Sequence, residues 1–323
     1  MQLGVVAHVK WFGQGAGDGP TQLEALEITL VGLVVLATLA LLLGAGECLD
    51  DHQAIARLRP RLGRLESMVP LVVRLSTTAF LFVNALDHAL LGPNITAGRG
   101  ALAFITTWLL LSAGLSLALG FFTRVGIVCL LAGYLLVGLQ APIIDVVDHL
   151  EYVGIAAYLW FRGPGTNSLD HILGLNDHAG SGPSRVGLLA YRFAIGMTLA
   201  TLALSEKILN VATAEAFLAQ YNWNVLAVLG LHDRHFIIIL GSIELALGLA
   251  LAFGQAPRLV VLVVLVAMVA TTILLGPGEV LGHVFAVGIV FAIWLQEPSR
   301  SAQTIRPESR RLSHSHPAPL PTS

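Results

Sequence analysis

Apolar residues in this chain come in long unbroken runs, such as "LVGLVVLATLALLLGAG" (30–46), rather than alternating with polar ones. Runs of this kind predict helices that cross a bilayer, each needing roughly twenty mostly apolar residues. Nine spans are predicted, at about 25–45, 70–91, 101–120, 124–142, 146–162, 186–206, 235–254, 258–275 and 279–295. The fold class is therefore all-α, a polytopic helical membrane protein.

Composition sharpens this. Hydrophobic residues make up 55% of the 323, charged residues 12%, and the mean hydropathy is +0.78. A soluble domain carries about twice that charge. An aromatic share of 7% is too low for a barrel with aromatic girdles, and the runs lack a barrel's alternation. Cys48 and Cys129 stand far apart in no CxxC arrangement, so neither a disulfide framework nor a thiol redox motif follows. No P-loop, dinucleotide fingerprint or haem-attachment motif occurs, and nothing points to nucleic acid. The opening "MQLGVVAHVKWFGQGAGDGP" lacks the basic start and apolar core of a cleavable signal, which predicts that the first span is retained. Its Trp11 and Phe12 read as interfacial anchors.

Arginine placement orients the spans. Twelve basic residues, from Arg57, Arg59, Arg61 and Arg64 to Arg310 and Arg311, fall on one side by alternation. Four fall on the other: Lys10, Arg99, Lys207 and Arg234. Lys/Arg-rich loops stay cytoplasmic, so the N-terminus is expected outside and the C-terminus inside a bacterial inner membrane.

A shift of 134 residues carries Gly114, Gly120, Arg124, His149, Gly154 and Trp160 onto Gly248, Gly254, Arg258, His283, Gly288 and Trp294 without a gap. A shift of 118 carries Arg74 onto Arg192, so the second copy holds 16 extra residues, around "AQYNWNVLAVLGLHDRH". The pattern predicts two tandem four-helix repeats related by an axis along the membrane normal. Five regions follow. Residues 1–69 hold an N-terminal segment, the first span and an Arg-rich loop; 70–173 form the first unit. A linker covers 174–184, the second unit 185–296, and a Pro/Ser/Arg-rich tail 297–323. The tail lacks apolar periodicity and is expected to be disordered.

Within so apolar a chain, "PIIDVVDHLEYVG" (142–154) concentrates ionisable side chains. Asp145 and His149 are four residues apart and so are expected on one helical face. Their copies are Glu279 and His283. Ionisable groups inside spans default to functional hypotheses. The four residues suit proton handling beside a quinone, or ligation of a divalent metal or a haem by His149 and His283. Helix capping by Asp145 and Asp148 is the competing reading. Asp87 and His88, with copies Ser205 and Glu206, lie at the same level. Arg74, Arg192, Lys207 and Glu244 are weaker cofactor-binding candidates. Snorkelling to headgroups accounts for the two arginines, whereas Glu244, whose copy is Leu110, needs a polar partner such as Arg192 or Lys207. In "HDRH", Asp233 is expected to cap the next helix rather than form a site with His232 and His235.

"RGPGTNSLDHILG" (162–174) resembles the GPG-x-x-SLD signature that ends DoxX-like four-helix membrane proteins, and "YRFAIGMTLATLALSEKIL" and "GSIELALGLALAFG" are similar to that family's first two helices. The resemblance covers roughly 70–296 as two copies; the extra first helix and the missing signature after Trp294 depart from it. It implies an accessory role in a quinone-linked oxidoreductase system. The competing classes are a transporter of ions, protons or small solutes using the acid–histidine cluster, and a bilayer-embedded anchor that recruits a soluble oxidoreductase partner.

Overall fold

The computed structural model describes residues 23–51, 62–92, 94–175, 184–221, 223–276 and 279–296. The Arg-rich stretch 52–61, the linker 176–183, the tail from 297 and the "AHVKWF" segment lie outside them. The described residues form helices, with one isolated bridge between Ala89 and Thr96.

The helices are α1 Ala25–Asp51, α2 Val69–Leu86, α3 Ala101–Leu119, α4 Thr123–Val137, α5 Ile143–Val147 and α6 Glu151–Arg162. They continue with α7 Leu169–Ile172, α8 Arg185–Leu202, α9 Val211–Tyr221, α10 Asp233–Phe253, α11 Pro257–Leu275 and α12 Glu279–Gln296. Short 3-10 turns precede α2 and α10, and a π-turn, Ala203–Ile208, extends α8. Among the described residues, six helical segments are long and apolar enough to cross a membrane: Ala25–Gly46, Leu65–Leu86, Ala101–Leu119, Arg185–Ile208, Asp233–Phe253 and Pro257–Leu274. The three other expected spans differ. α4 has 15 residues and α6 has 12, while the apolar described part of α12 is Ala286–Gln296. The expected span at 146–162 is broken, because residues 148–150 form a turn between α5 and α6. The segment between the π-turn and α10 contains a helix of its own, α9.

Glycine decides where these helices meet. Apolar side chains gain little by leaving lipid for one another, so close backbone approach becomes the source of association. A Cβ at Gly248 would stand 2.6 Å from the backbone nitrogen of Ala200, which puts α10 directly on α8. At Gly154 it would lie 2.6 Å from the Cβ of Ala194 and 3.2 Å from the Cα of Tyr191, joining α6 to α8. At Gly288 it would lie 3.1 Å from the Cα of Val73, joining α12 to α2. α6 thus lies along α8, and α12 along α2. α1 packs on α10, where Glu27 accepts hydrogen bonds from Arg234 Nε at 2.5 Å and Nη2 at 3.0 Å, and also touches α11; most of its surface faces outward.

One turn geometry occurs twice. Gly120 (φ +60°) and Phe122 (φ +47°) link α3 to α4; Gly254 (φ +76°) and Ala256 (φ +45°) link α10 to α11. The hydrogen bonds match as well: Phe121 N donates to Ser116 O, and Gln255 N to Ala250 O. An arginine lies against each glycine. Arg74 is fully buried and donates from Nη1 to Leu117 O at 3.2 Å and from Nη2 to Asn167 O at 2.5 Å. Arg192 packs its guanidinium on Gly254. Snorkelling is therefore corrected for both: each is buried by the turn beside it, and Arg74 bonds one carbonyl at the end of α3 and one in the loop before α7. The "SLD" residues serve the same end. Ser168 caps α7, and Asp170 accepts from Phe122 N at 2.7 Å and Thr123 N at 2.9 Å, capping α4 from a distance.

Gly120→Ala should destabilise the protein by about 2 kcal/mol or more, because its Cβ would overlap the Arg74 guanidinium at a positive φ. Thermal unfolding in detergent measures this. Gly98→Ala, with nothing within 4 Å, serves as the unchanged control.

Candidate functional site

The loop between α2 and α3 builds a lid over one end of the bundle. His88 takes φ +55°, and Ala97 N donates to His88 O while Leu90 N donates to Ile95 O. Leu90, Leu91 and Ile95 sink into the core. Asn84 Nδ2 and Tyr152 Oη both donate to Leu91 O, holding the loop down. This sets Gly92 and Asn94 over His149; a Cβ at Gly92 would be 2.5 Å from His149 Cε1.

His149 has no exposed surface. Its Nδ1 lies 3.1 Å from Glu151 Oε1 and its Nε2 lies 3.3 Å from Asn94 Oδ1. An amide oxygen only accepts, so this geometry puts a proton on Nε2. Asn94 Nδ2 donates to Asp145 Oδ1 at 3.2 Å. On the far side, Glu151 Oε2 accepts from Thr198 Oγ1 at 2.9 Å, and Thr198 Oγ1 accepts from Glu151 N at 3.1 Å. One polar chain, Asp145–Asn94–His149–Glu151–Thr198, therefore runs from the half-exposed Asp145 into the bundle. It crosses from one half of the protein to the other at Glu151 and Thr198. Asp148, fully buried, makes a second crossing, accepting from Ser205 Oγ at 3.3 and 3.4 Å.

The continuous helical face expected for Asp145 and His149 is corrected. Asp145 lies in α5 and His149 in the turn after it, and Asn94 bridges them instead. Neither Asp145 nor Asp148 is an N-cap, since Pro142 occupies the N-cap of α5 and Leu150 that of α6; Asp145 is the acid in the first turn of α5, and Asp148 is its C-cap. The side chains of Glu279 and His283 fall outside the described ones, so their expected convergence with His149 has no geometry here. Among the described residues no group of three or more His, Cys, Asp or Glu could hold a metal ion. Asp87 and His88 are exposed. Asp233 begins α10 without capping it; His232 is the N-cap, and Asp233 accepts from Asn224 Nδ2 at 2.8 Å.

Glu244 finds the second of its two expected partners. Lys207, at 4% exposure, donates from Nζ to Glu244 Oε2 at 2.5 Å, with Glu206 buried beside it. The π-turn makes this reach possible, because its wider winding carries Ser205 toward Asp148 and Lys207 toward α10. The pair closes one end of a cavity of 250 Å³ between α8, α10, α11 and α12, lined by apolar residues such as Leu202, Leu247, Val264 and Ile289. Thr198 also lines it, so the polar chain ends at the cavity wall.

Glu151, Asn94, Thr198, Asp148 and Ser205 complete the cluster without having been proposed as chemical groups from the sequence. Glu151 was visible as an acid in the same stretch. Asn94 and Thr198 carry no signal, being ordinary polar residues until the fold aligns them. No protein-family model, curated protein or solved structure matches the chain.

Glu151→Leu should cost about 3 kcal/mol, since it strands the His149 ring nitrogen and the Thr198 hydroxyl, while Glu151→Gln, which keeps hydrogen-bonding atoms, should cost less than half as much. Denaturation of the two variants in detergent compares them. Lys207→Met should lose about 3–5 kcal/mol by removing the cation that Glu244 and the buried Glu206 share, and Lys207→Met/Glu244→Leu should recover only part of it; unfolding midpoints of the single and double variants test this.

Proposed function

We propose that this chain is a DoxX-like integral membrane protein of a bacterial inner membrane that handles protons for a quinone-linked oxidoreductase system. The observation that carries the reading is the buried Asp145–Asn94–His149–Glu151–Thr198 chain. A histidine–carboxylate pair in an apolar bundle can take and release protons. Electrons need a bound cofactor or a partner, because no side chain here carries them; a lipid-soluble quinone and a soluble oxidoreductase fill those roles.

The reading includes nine spans, with the N-terminus outside, and two tandem four-helix units. Repeat symmetry is supported by matched turns at Gly120 and Gly254, and by matched seams at Gly154 and Gly288. The "GPGTNSLD" resemblance is supported by a structural use for each end of the motif: Asn167 O receives Arg74, and Asp170 caps α4.

The test is copurification of the full chain from its native membrane. The expected result is a bound quinone or a soluble oxidoreductase partner, with quinone-dependent turnover falling about tenfold or more in Glu151→Gln. Purification with neither sinks the reading. One observation favours transport of ions or solutes instead: Glu151 and Asp148 lie where the two halves meet, the usual place for a site in repeat-built transporters. Solute uptake into vesicles, abolished by Glu151→Gln without any quinone dependence, would establish that reading.

A further inference from the structure

The two halves differ at one seam. In the first, α4 packs tightly along α3 because Gly133 and Gly126 leave room: a Cβ at Gly133 would stand 2.7 Å from Leu110 Cδ2, and one at Gly126 would be 2.7 Å from Ser116 Cβ. The residues 134 positions later are Ala267 for Gly133, Val260 for Gly126, and Glu244 for Leu110. Side chains thus stand where the first half has none, and a carboxylate stands where the first half has a leucine. The outcome is visible in the packing: α11 stands off α10, and the 250 Å³ cavity occupies the gap.

We infer that this cavity is a binding site for an uncharged lipophile carrying a hydroxyl group, entering sideways from the bilayer between α10 and α11. Size comes first. A cavity of about 150 Å³ accepts a benzene ring, so 250 Å³ takes a substituted ring or a folded chain. Access comes next. Val263 and Ala267 line the cavity and are themselves exposed on a helix whose outer surface is apolar, so the mouth faces lipid rather than water. The head group follows from Lys207 and Glu244. Lys207 lies between two carboxylates, Glu244 and the buried Glu206, so an anionic head would meet like charge, while a cationic one would have to shed its hydration in lipid to enter a cavity with an almost wholly apolar lining. Glu244 keeps 23% of its side chain exposed while Lys207 keeps 5%. The carboxylate is therefore the group a ligand reaches, and an ionised carboxylate only accepts hydrogen bonds. An O–H donor on a neutral molecule matches it. This site does not depend on the redox reading.

Photolabelling of the full chain in nanodiscs, with a diazirine-bearing 4-nonylphenol as the probe, tests the assignment. Adducts should concentrate on the peptides of α10 and α11. Unlabelled 4-nonylphenol should compete about tenfold better than nonylammonium or nonanoate. Ala267→Trp, which fills the mouth from an exposed position, should cut labelling about tenfold while leaving the unfolding midpoint in place; Val263→Trp, on the same rim, repeats the test should the first variant not fold. Adducts spread evenly over the lipid-facing surfaces of α1, α2 and α3, or equal competition by the charged amphiphiles or by phospholipid, would overturn it. Labelling that survives Glu151→Gln supports the site independently of proton handling, and labelling lost in Glu151→Gln with an unchanged unfolding midpoint would overturn that independence.

Discussion

Backbone contact at glycine is the constraint from which the remainder of this architecture follows. In a lipid solvent, two leucine-covered helices have little reason to prefer each other over acyl chains. Gly154 and Gly288 remove the side chain at the point where α6 meets α8 and α12 meets α2. The halves can then interlock through their terminal helices. Only because α8 lies that close does Thr198 reach Glu151, and only because the π-turn continues α8 does Ser205 reach Asp148. The polar chemistry is a by-product of steric economy.

The opposite end of the bundle shows how charge can serve structure alone. Arg74 is a fully buried cation with no carboxylate bonded to it; carbonyl oxygens of Leu117 and Asn167 receive its donors. Leu117 O already accepts from Gly120 N within the left-handed turn, and the guanidinium fork adds a second donor there while pinning the separate loop at Asn167. Asp170 supplies the complementary service to the nitrogens that begin α4. The two ends of the α3–α4 turn are thereby tied to residues 43 to 48 positions away.

Much of the helical framework was legible in the sequence, because uninterrupted apolar runs have few alternatives in a bilayer. The anomaly of Glu244 was legible too, since an acid that far from a helix end demands a partner. Other features were hidden for definable reasons. The break at Asp148–Leu150 contains no proline or glycine, so local propensity gives no warning of it. Snorkelling looked sufficient for Arg74 because sequence shows depth along a helix but not which way the side chain faces. The Glu27–Arg234 bond spans 207 positions and depends on α1 lying against α10, which no periodicity encodes. Asn94 and Thr198 acquire meaning only through the contacts of the lid and of the glycine seam.

The π-turn from Ala203 to Ile208, closed by Leu209 N donating to Leu204 O at 2.8 Å, has a mechanical consequence. Six residues of backbone hold the anchors of two separate acids, Ser205 for the buried Asp148 and Lys207 for the half-buried Glu244. Rewinding that strip by a single residue into ordinary α-helix would swing both anchors at once. The acids are thus geared together by covalent geometry, much as two teeth on one wheel must advance in step.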